Sequence, residues 1–209
     1  MRLPTVTSTR PGPQRTARAR QLSAAGALLA SACAAAQAPA AAPSYQLDAG
    51  HTFVHWEVLH MGTSTTRGRF DRVTGAVEFD AARQAVDVSI TADTASVSTG
   101  LEAFDKVMRG APLLSVQAHP QAYFTARKGR WEGAELRELN GEITLRGISR
   151  PLTLRALRFK CGLNPVFGRE VCGGDFEATL KRSDFGMTLA LPLVADEVRL
   201  LVQVEGVRQ

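Results

Sequence analysis

The stretch HTFVHWEVLH (51–60) decides how this chain folds. Its even positions carry Thr52, Val54, Trp56 and Val58, and its odd positions include His51, His55 and Glu57. Apolar residues of β-branched and aromatic type at every second place make a strand with one buried and one wet face. A slip of one residue would exchange the faces, so the even set points to the core. His51 and His55 would share the wet face at a spacing too wide for chelation. With no Cys or carboxylate partner beside them they read as surface or rim histidines, and no metal is expected.

The same period runs outward along the chain. GAVEF (75–79) sets Val77 and Phe79 against Glu78, and AVDVSITA (85–92) sets Val86, Val88 and Ile90 against Asp87, Ser89 and Thr91. AYFTAR (122–127) places Phe124 opposite Tyr123 and Thr125, and GEITLRG (141–147) places Ile143 and Leu145 opposite Glu142, Thr144 and Arg146. PLTLRALRF (151–159) points Leu152 and Leu154 inward before a change of phase. DFEATLK (175–181) turns Phe176, Ala178 and Leu180 inward, and EVRLLVQVEGV (197–207) turns Val198, Leu200, Val202 and Val204 inward. About eight one-sided strands suit an antiparallel sheet, either a sandwich or a closed up-and-down barrel. Strands and helices do not alternate, so a parallel α/β fold is not expected.

One segment departs from this period. STGLEAFDKVMRG (98–110) has Leu101, Phe104 and Met108 at helical spacing, and Thr99 with Glu102 three places on has the form of a capping box. Gly110 and Pro112 would end this short helix, which is expected to cover a barrel end or side.

Residues 1–44 do not share the β pattern. They hold Arg2, Arg10, Arg15, Arg18 and Arg20 and no acid, then an apolar stretch from Leu22 to Ala32 and an Ala/Pro-rich run to Pro43. A basic start, an apolar middle and a small-residue exit form a secretory signal, so a periplasmic or secreted domain is expected over 45–209. Cleavage is open between a site after Ala36 and one after Ala38, the latter disfavoured by Pro39. Cys33, preceded by Ala30-Ser31-Ala32, also resembles a lipoprotein box, and acylation there would tether the domain to a membrane. The whole chain has 209 residues and a formal charge of +5, from 25 basic and 20 acidic residues. Without the five N-terminal arginines the basic count falls from 25 to 20, equal to the 20 acids. A neutral domain has no electrostatic reason to hold nucleic acid.

Two cysteines follow, Cys161 and Cys172, with GLNPVFGREV between them. An even pair in an exported chain reads as a disulfide closing a short loop, and two cysteines are too few for a structural zinc site.

Catalytic motifs are missing. The chain has no G-x-S-x-G elbow and no phosphate-binding glycine loop. Asp184-Phe185-Gly186 lacks the partners that would make it a kinase motif, and SDFGM (183–187) reads as a turn with Gly186 at positive φ. Asp105 and Glu102 read as helix surface or cap. No acid–base pair or nucleophile stands out, so a binding module is expected rather than an enzyme, with no cofactor.

An eight-stranded barrel encloses just enough room for side chains or one small ligand. The expected inner set is Val54, Trp56, Val58, Val77, Phe79, Val88, Ile90, Phe124, Ile143, Leu145, Phe176, Val202 and Val204, with Phe104 and Met108 from the helix. A lining without charge suits a hydrophobic or amphiphilic ligand. Periodicity alone leaves open whether these side chains fill the interior or line a cavity.

Four stretches together resemble the YceI family of exported lipid-binding proteins, over about 45–207. HTFVHWEVLHMGTSTTRGRF (51–70) is similar to that family's H-S-x-V-x-F-x-V-x-H opening followed by G-x-F, with Thr52 for Ser and Trp56 for Phe, and with His60, Gly68 and Phe70 matching. DKVMRGAPLLSVQAHPQAYF (105–124) keeps Asp105, Pro120 and Phe124, but Val107 replaces a His, Leu113 and Leu114 replace two Phe, and His119 replaces a Tyr. GEITLRGISRPLTL (141–154) and LKRSDFGM (180–187) resemble the later family motifs. The resemblance implies an all-β fold, an extended eight-stranded antiparallel lipocalin-like barrel with one short helix. It implies an apolar tunnel for a long isoprenoid, such as a polyisoprenoid quinone precursor, or a fatty-acid amide, and a periplasmic or secreted place. It transfers no catalytic residue. The departures at 107–119 fall where a helix and loop could gate the tunnel.

Two rival readings stay open at this stage: a stress-response or interaction protein with a solid core, and an enzyme acting on a bound lipid. The oligomeric state is open between monomer and homodimer.

Overall fold

The computed structural model describes residues 41–209, with the isolated positions 9 and 12. The stretch expected to be an export signal, with Cys33 and its possible acylation, lies outside the described residues. The strands are β1 (Ser44–Leu47), β2 (Phe53–His60), β3 (Ser64–Phe70), β4 (Val73–Asp80), β5 (Ala85–Asp93) and β6 (Val97–Ser98). After the helix α1 (Glu102–Arg109) come β7 (Gln121–Glu132), β8 (Glu135–Leu145), β9 (Ile148–Asn164), β10 (Arg169–Lys181) and β11 (Val194–Arg208).

Eleven strands make eight staves, because the first three staves are broken. β1 and β2 both lie against β11, Leu47 opposite Gly206 and Phe53 opposite Gln203. β4 and β3 in turn lie against β1 and β2, Gln46 opposite Ala76 and Val54 opposite Phe70. β5 and β6 continue the same way, Ala92 opposite Val73 and Val97 opposite Phe70. β7 to β11 follow as neighbours, and the β1–β11 pairing closes the antiparallel barrel.

Buried hydroxyls bind the backbone at these breaks. The Thr52 hydroxyl donates to the Glu205 carbonyl and accepts from the Glu205 N–H, both at 3.3 Å. Ser96 Oγ accepts from the Arg72 N–H at 3.0 Å and donates to the Asp93 carbonyl at 2.6 Å. Thr94 donates to the His119 carbonyl at 2.7 Å.

Three strands carry no signal in the alternation, for a physical reason. β1 and β6 are too short to show a period. The side of β3 that lines the interior holds Thr66, Gly68 and Phe70, so two of its three positions are not large apolar residues. Gly68 is required by close approach: a Cβ there would stand 2.4 Å from the Trp56 ring.

Four local expectations are corrected. Helix α1 begins at Glu102 and its N-cap is Leu101, with no side-chain cap bond, so there is no Thr99–Glu102 capping box. Asp105 does that work instead, accepting from the Thr99 N–H and hydroxyl at 2.7 Å each, while Glu102 faces solvent beside Lys106 at 3.5 Å. Leu101 is exposed rather than core, because the N-cap position precedes the face formed by Phe104 and Met108. The loop between the cysteines is shorter than expected, since β9 runs to Asn164 and β10 starts at Arg169. His51 lies in the break between β1 and β2, not on the His55 strand face. The turn at 182–185 ends as expected on Gly186 in the left-handed region, φ 74°. The change of phase in β9 is a bulge: Asp175 faces Arg158 and Phe176 faces Ala156, which turns Leu157 outward.

The wet face carries an ionic ladder across five adjacent strands. Arg67 meets Glu57 at 2.7 Å, Arg199 meets Glu57 at 3.5 Å and Glu177 at 2.6 Å, and Arg155 closes on Glu177. Each exposed pair contributes little stability, about 0–1 kcal/mol, but the alternation of sign across the strands agrees with a single register.

Candidate ligand-binding tunnel

The inward faces of the staves leave a row of three apolar cavities. The cavity at the far end, remote from α1, has a volume of about 50 Å³ and is walled by Val77, Phe79, Val88, Phe176, Val204 and their neighbours. A middle cavity of about 100 Å³ is bounded by Val54, Phe124 and Ile143 among others. Ile90 and Val202 border both of these. The third, about 470 Å³, opens beneath α1 and is lined by Trp56, Val58, Phe104 and Met108 with loop residues from 113–114 and 187–190. Leu145, with Phe70, Leu180 and Leu200, separates it from the middle cavity. All fifteen side chains expected on the inner surface stand on one of these walls.

The far end is nearly solid because aromatic rings meet there. Phe79 stacks on Trp131 with centroids 5.5 Å apart and meets Phe159 at 4.9 Å, and Phe159 meets Phe176 at 6.1 Å. Cys161 and Cys172 face each other in the β9–β10 register and are disulfide-bonded. Tyr45 sends its hydroxyl to Glu170 at 2.6 Å, and burial, reinforced by that carboxylate, pushes its pKa up to about 12.

The helix end is hollow because the third stave stops there. β6 has two residues, and α1 with the loop after it takes the place of strand. Arg109 ties α1 to the Ala95 and Val97 carbonyls at 3.0 Å each. Loop amides of Leu114 and Val116 donate to the Met108 and Arg109 carbonyls at 3.0 and 3.2 Å. Arg146 donates to the carbonyls of Ala111 and Leu113. These bonds fasten loop and helix by backbone groups, leaving Phe104, Met108, Leu113 and Leu114 to line the cavity.

Several lining residues were not singled out as site residues by sequence. Leu113, Leu114, Met187, Leu189 and Ala190 lie in loops, where no period marks a face. Arg182 was hidden because a charged residue is not expected on an inner wall, yet it is 5% exposed and lines the widest cavity. Its one signal was its place within LKRSDFGM.

The histidines do not assemble. Burial, with the nearby Arg69, lowers the pKa of His55, whereas a hydrogen bond to Asp48 at 2.8 Å raises that of His51. Asp48, His51 and Glu205 bring ligand atoms within 4.8 Å of one another at the β1–β2 break. This group sits outside the three cavities.

Residues 45–206 match the YceI-like domain family. The chain belongs to that family. It is 36% identical to Protein YceI of Salmonella arizonae over 81% of this chain and 90% of that protein. The fold is similar to Burkholderia cenocepacia BcnA, with a TM-score of 0.64 at 22% identity, covering 76% of this chain and 98% of that one. It is also similar to a polyisoprenoid binding domain from Saccharophagus degradans implicated in plant cell wall breakdown, with a TM-score of 0.55 at 15% identity, covering 79% and 98%. In this YceI-like chain the four quoted motifs fall at structural positions: Gly68 under Trp56, Asp105 at the helix start, Gly141 and Leu145 on β8, and Arg182 to Met187 around the widest cavity.

Proposed function

We propose that this chain is a non-enzymatic carrier that binds an amphiphilic lipid of isoprenoid-like character in its row of cavities and sequesters or transports it in the periplasm. The observation that carries the reading is the 470 Å³ cavity with an almost wholly apolar wall, a volume in the range of small-molecule sites. It counts against the solid-core reading, which describes only the far end. The polyisoprenoid-binding neighbour supports the ligand class, and the signal-like N-terminus and the disulfide support an oxidising, extracytoplasmic compartment. No conventional catalytic pair lines the cavities: the ionisable side chains on their walls, among the described residues, are Tyr45, His60, Tyr123 and Arg182.

Organic extraction of the purified protein followed by mass spectrometry tests the reading, with a co-purified lipid as the expected result. A lipid-free protein that also fails to take up polyprenyl compounds would sink it. Trp56→Arg places a charge on the wall of the widest cavity and is expected to lower uptake about tenfold or more, since an unpaired charge in an apolar site is costly. Fractionation of expressing cells tests the location, with the protein expected in the periplasmic fraction.

A further inference from the structure

The hairpin that joins β9 to β10 runs clear of the barrel. The last residue of β9 that β8 covers is Arg155, opposite Glu138, and the last of β10 that β11 covers is Val171, opposite Val207. Past these points the two strands pair only with each other, out to Asn164 opposite Arg169. A two-stranded ribbon is marginal by itself. The Cys161–Cys172 bridge crosses its base and holds it. Asn164 shapes the tip, its side-chain oxygen accepting from the Val166 and Phe167 N–H groups at 2.9 and 3.3 Å, and Gly168 turns the chain back at φ 60°. Leu163, Val166 and Phe167 are left in water, exposed by 77%, 85% and 43%.

The neighbouring turns at this end are built differently. In the β7–β8 turn Arg130 and Arg137 pair with Glu132 at 2.9 and 2.8 Å, and Gln84 of the β4–β5 turn donates to the Gly133 carbonyl at 2.8 Å. Those turns satisfy their own polar groups, whereas the 163–167 tip leaves clustered apolar surface uncovered, the mark of an interaction site. Two cations stand behind it. Arg158 and Arg208 are paired with Asp175 and Glu170, but Lys160 and Arg169 form no ion pair among the described residues, and Arg169 donates to the Arg208 carbonyl at 3.5 Å. Apolar side chains on a convex tip with unpaired cations behind them match the boundary between acyl chains and anionic head groups. A tip this small does not supply the area of a specific protein interface, about 800 Å² from each partner.

The chain enters the barrel at the same end. The Tyr45 hydroxyl meets Glu170 at 2.6 Å, and the Gln209 N–H donates to the Ser44 carbonyl at 2.9 Å. Cys33 precedes Ser44 by eleven residues, a reach of at most roughly 40 Å. An acyl group there would hold this end beside a bilayer.

We propose that the β9–β10 ribbon is a membrane-docking arm: Leu163, Val166 and Phe167 enter the surface of an anionic bilayer, and Lys160 and Arg169 meet its head groups. The widest cavity, at the opposite end, then faces away from that surface. Such docking does not depend on what the cavities hold.

Amide hydrogen exchange of the full chain as the cell processes it, with and without vesicles of phosphatidylcholine and phosphatidylglycerol in equal parts, tests this. Exchange is read rather than sedimentation, so an acyl group on Cys33 cannot give the signal by itself. Residues 163–168 are expected to exchange several-fold more slowly on these vesicles, less so on phosphatidylcholine alone, and less so at high salt. Val166→Asp, at an exposed turn position, should return the tip to its rate in solution, since a charge does not enter the acyl layer. Lys160→Gln with Arg169→Gln should raise the lipid concentration for half protection by about fivefold per charge. Leu193→Ser, an exposed change beside the cavity mouth, should alter nothing. Equal protection on neutral vesicles, none on anionic ones, or protection unmoved by Val166→Asp would overturn the docking arm. Protection at 101–107 and 189–193 in place of the tip would overturn it in favour of the cavity mouth. Tip protection without vesicles that grows with protein concentration would overturn it in favour of a second copy of the chain.

Discussion

At the far end of the barrel Phe79 lies 5.5 Å from Trp131 and 4.9 Å from Phe159, and the rings leave about 50 Å³. At the helix end Phe104 and Met108 face about 470 Å³. Both ends have apolar inner walls. The difference is in what completes the wall. At the far end every stave is strand, so side chains from opposite staves meet at fixed spacing. At the helix end the third stave stops after two residues of β6, and a helix strapped by Arg109 and a loop strapped by Arg146 cover the gap. A cover held by its backbone bonds need not pack its side chains to the density of a core.

The largest expected effect separates the two ends by stability. Phe79→Ala should cost about 3–5 kcal/mol, as for a large ring removed from a dense core. Phe104→Ala should cost about 1 kcal/mol, because its ring is half-buried against space already open. Guanidinium denaturation of both variants measures this, and equal losses would break the comparison.

The disulfide gives the next effect. Replacing Cys161 and Cys172 together by Ser should lower stability by about 2–3 kcal/mol, from a link spanning 11 residues. Because the bridge stands at the solid end, uptake of lipid at room temperature should be nearly unchanged. A double variant of normal stability that had lost uptake would contradict the separation of the two ends.

The smallest effect concerns the cover. The bond from the Thr99 hydroxyl, with that from its N–H, holds the Asp105 carboxyl below the usual carboxylate range. A depressed pKa in the folded state means that the contribution is present above the unfolded value near pH 4. It is lost as pH falls through the folded value. Amide exchange at Thr99 should therefore speed up below about pH 4 in excess of the intrinsic pH dependence. Asp105→Asn should show faster exchange already at pH 7 and no acid step, and a variant that kept the step would refute the assignment.

Most of the β framework was legible because alternation is a local property. Val54, Trp56 and Val58 on β2, and Val198, Leu200, Val202 and Val204 on β11, could be assigned to the inner face from their spacing alone. The disulfide was legible from the count and spacing of cysteines. β3 was not, because Gly68 and Thr66 occupy inner positions whose character is set by a partner, the Trp56 ring. The capping box misled because Thr99 can bond either of two acids one turn apart, and the chain path before Leu101 selects Asp105. Arg182 escaped notice because its three carbonyl partners lie at 187–195, on a segment without period.

By itself the sequence determined the period of the strands, the residues that turn inward, the covalent bridge and the family. Each of these is written in near neighbours or in a motif. Only the tertiary structure decided that one half of the interior is filled and the other hollow, and that a buried cation, Arg182, stands on the wall of the hollow half. A cavity is the space left among side chains contributed by staves distant in sequence, so no local pattern can state its size.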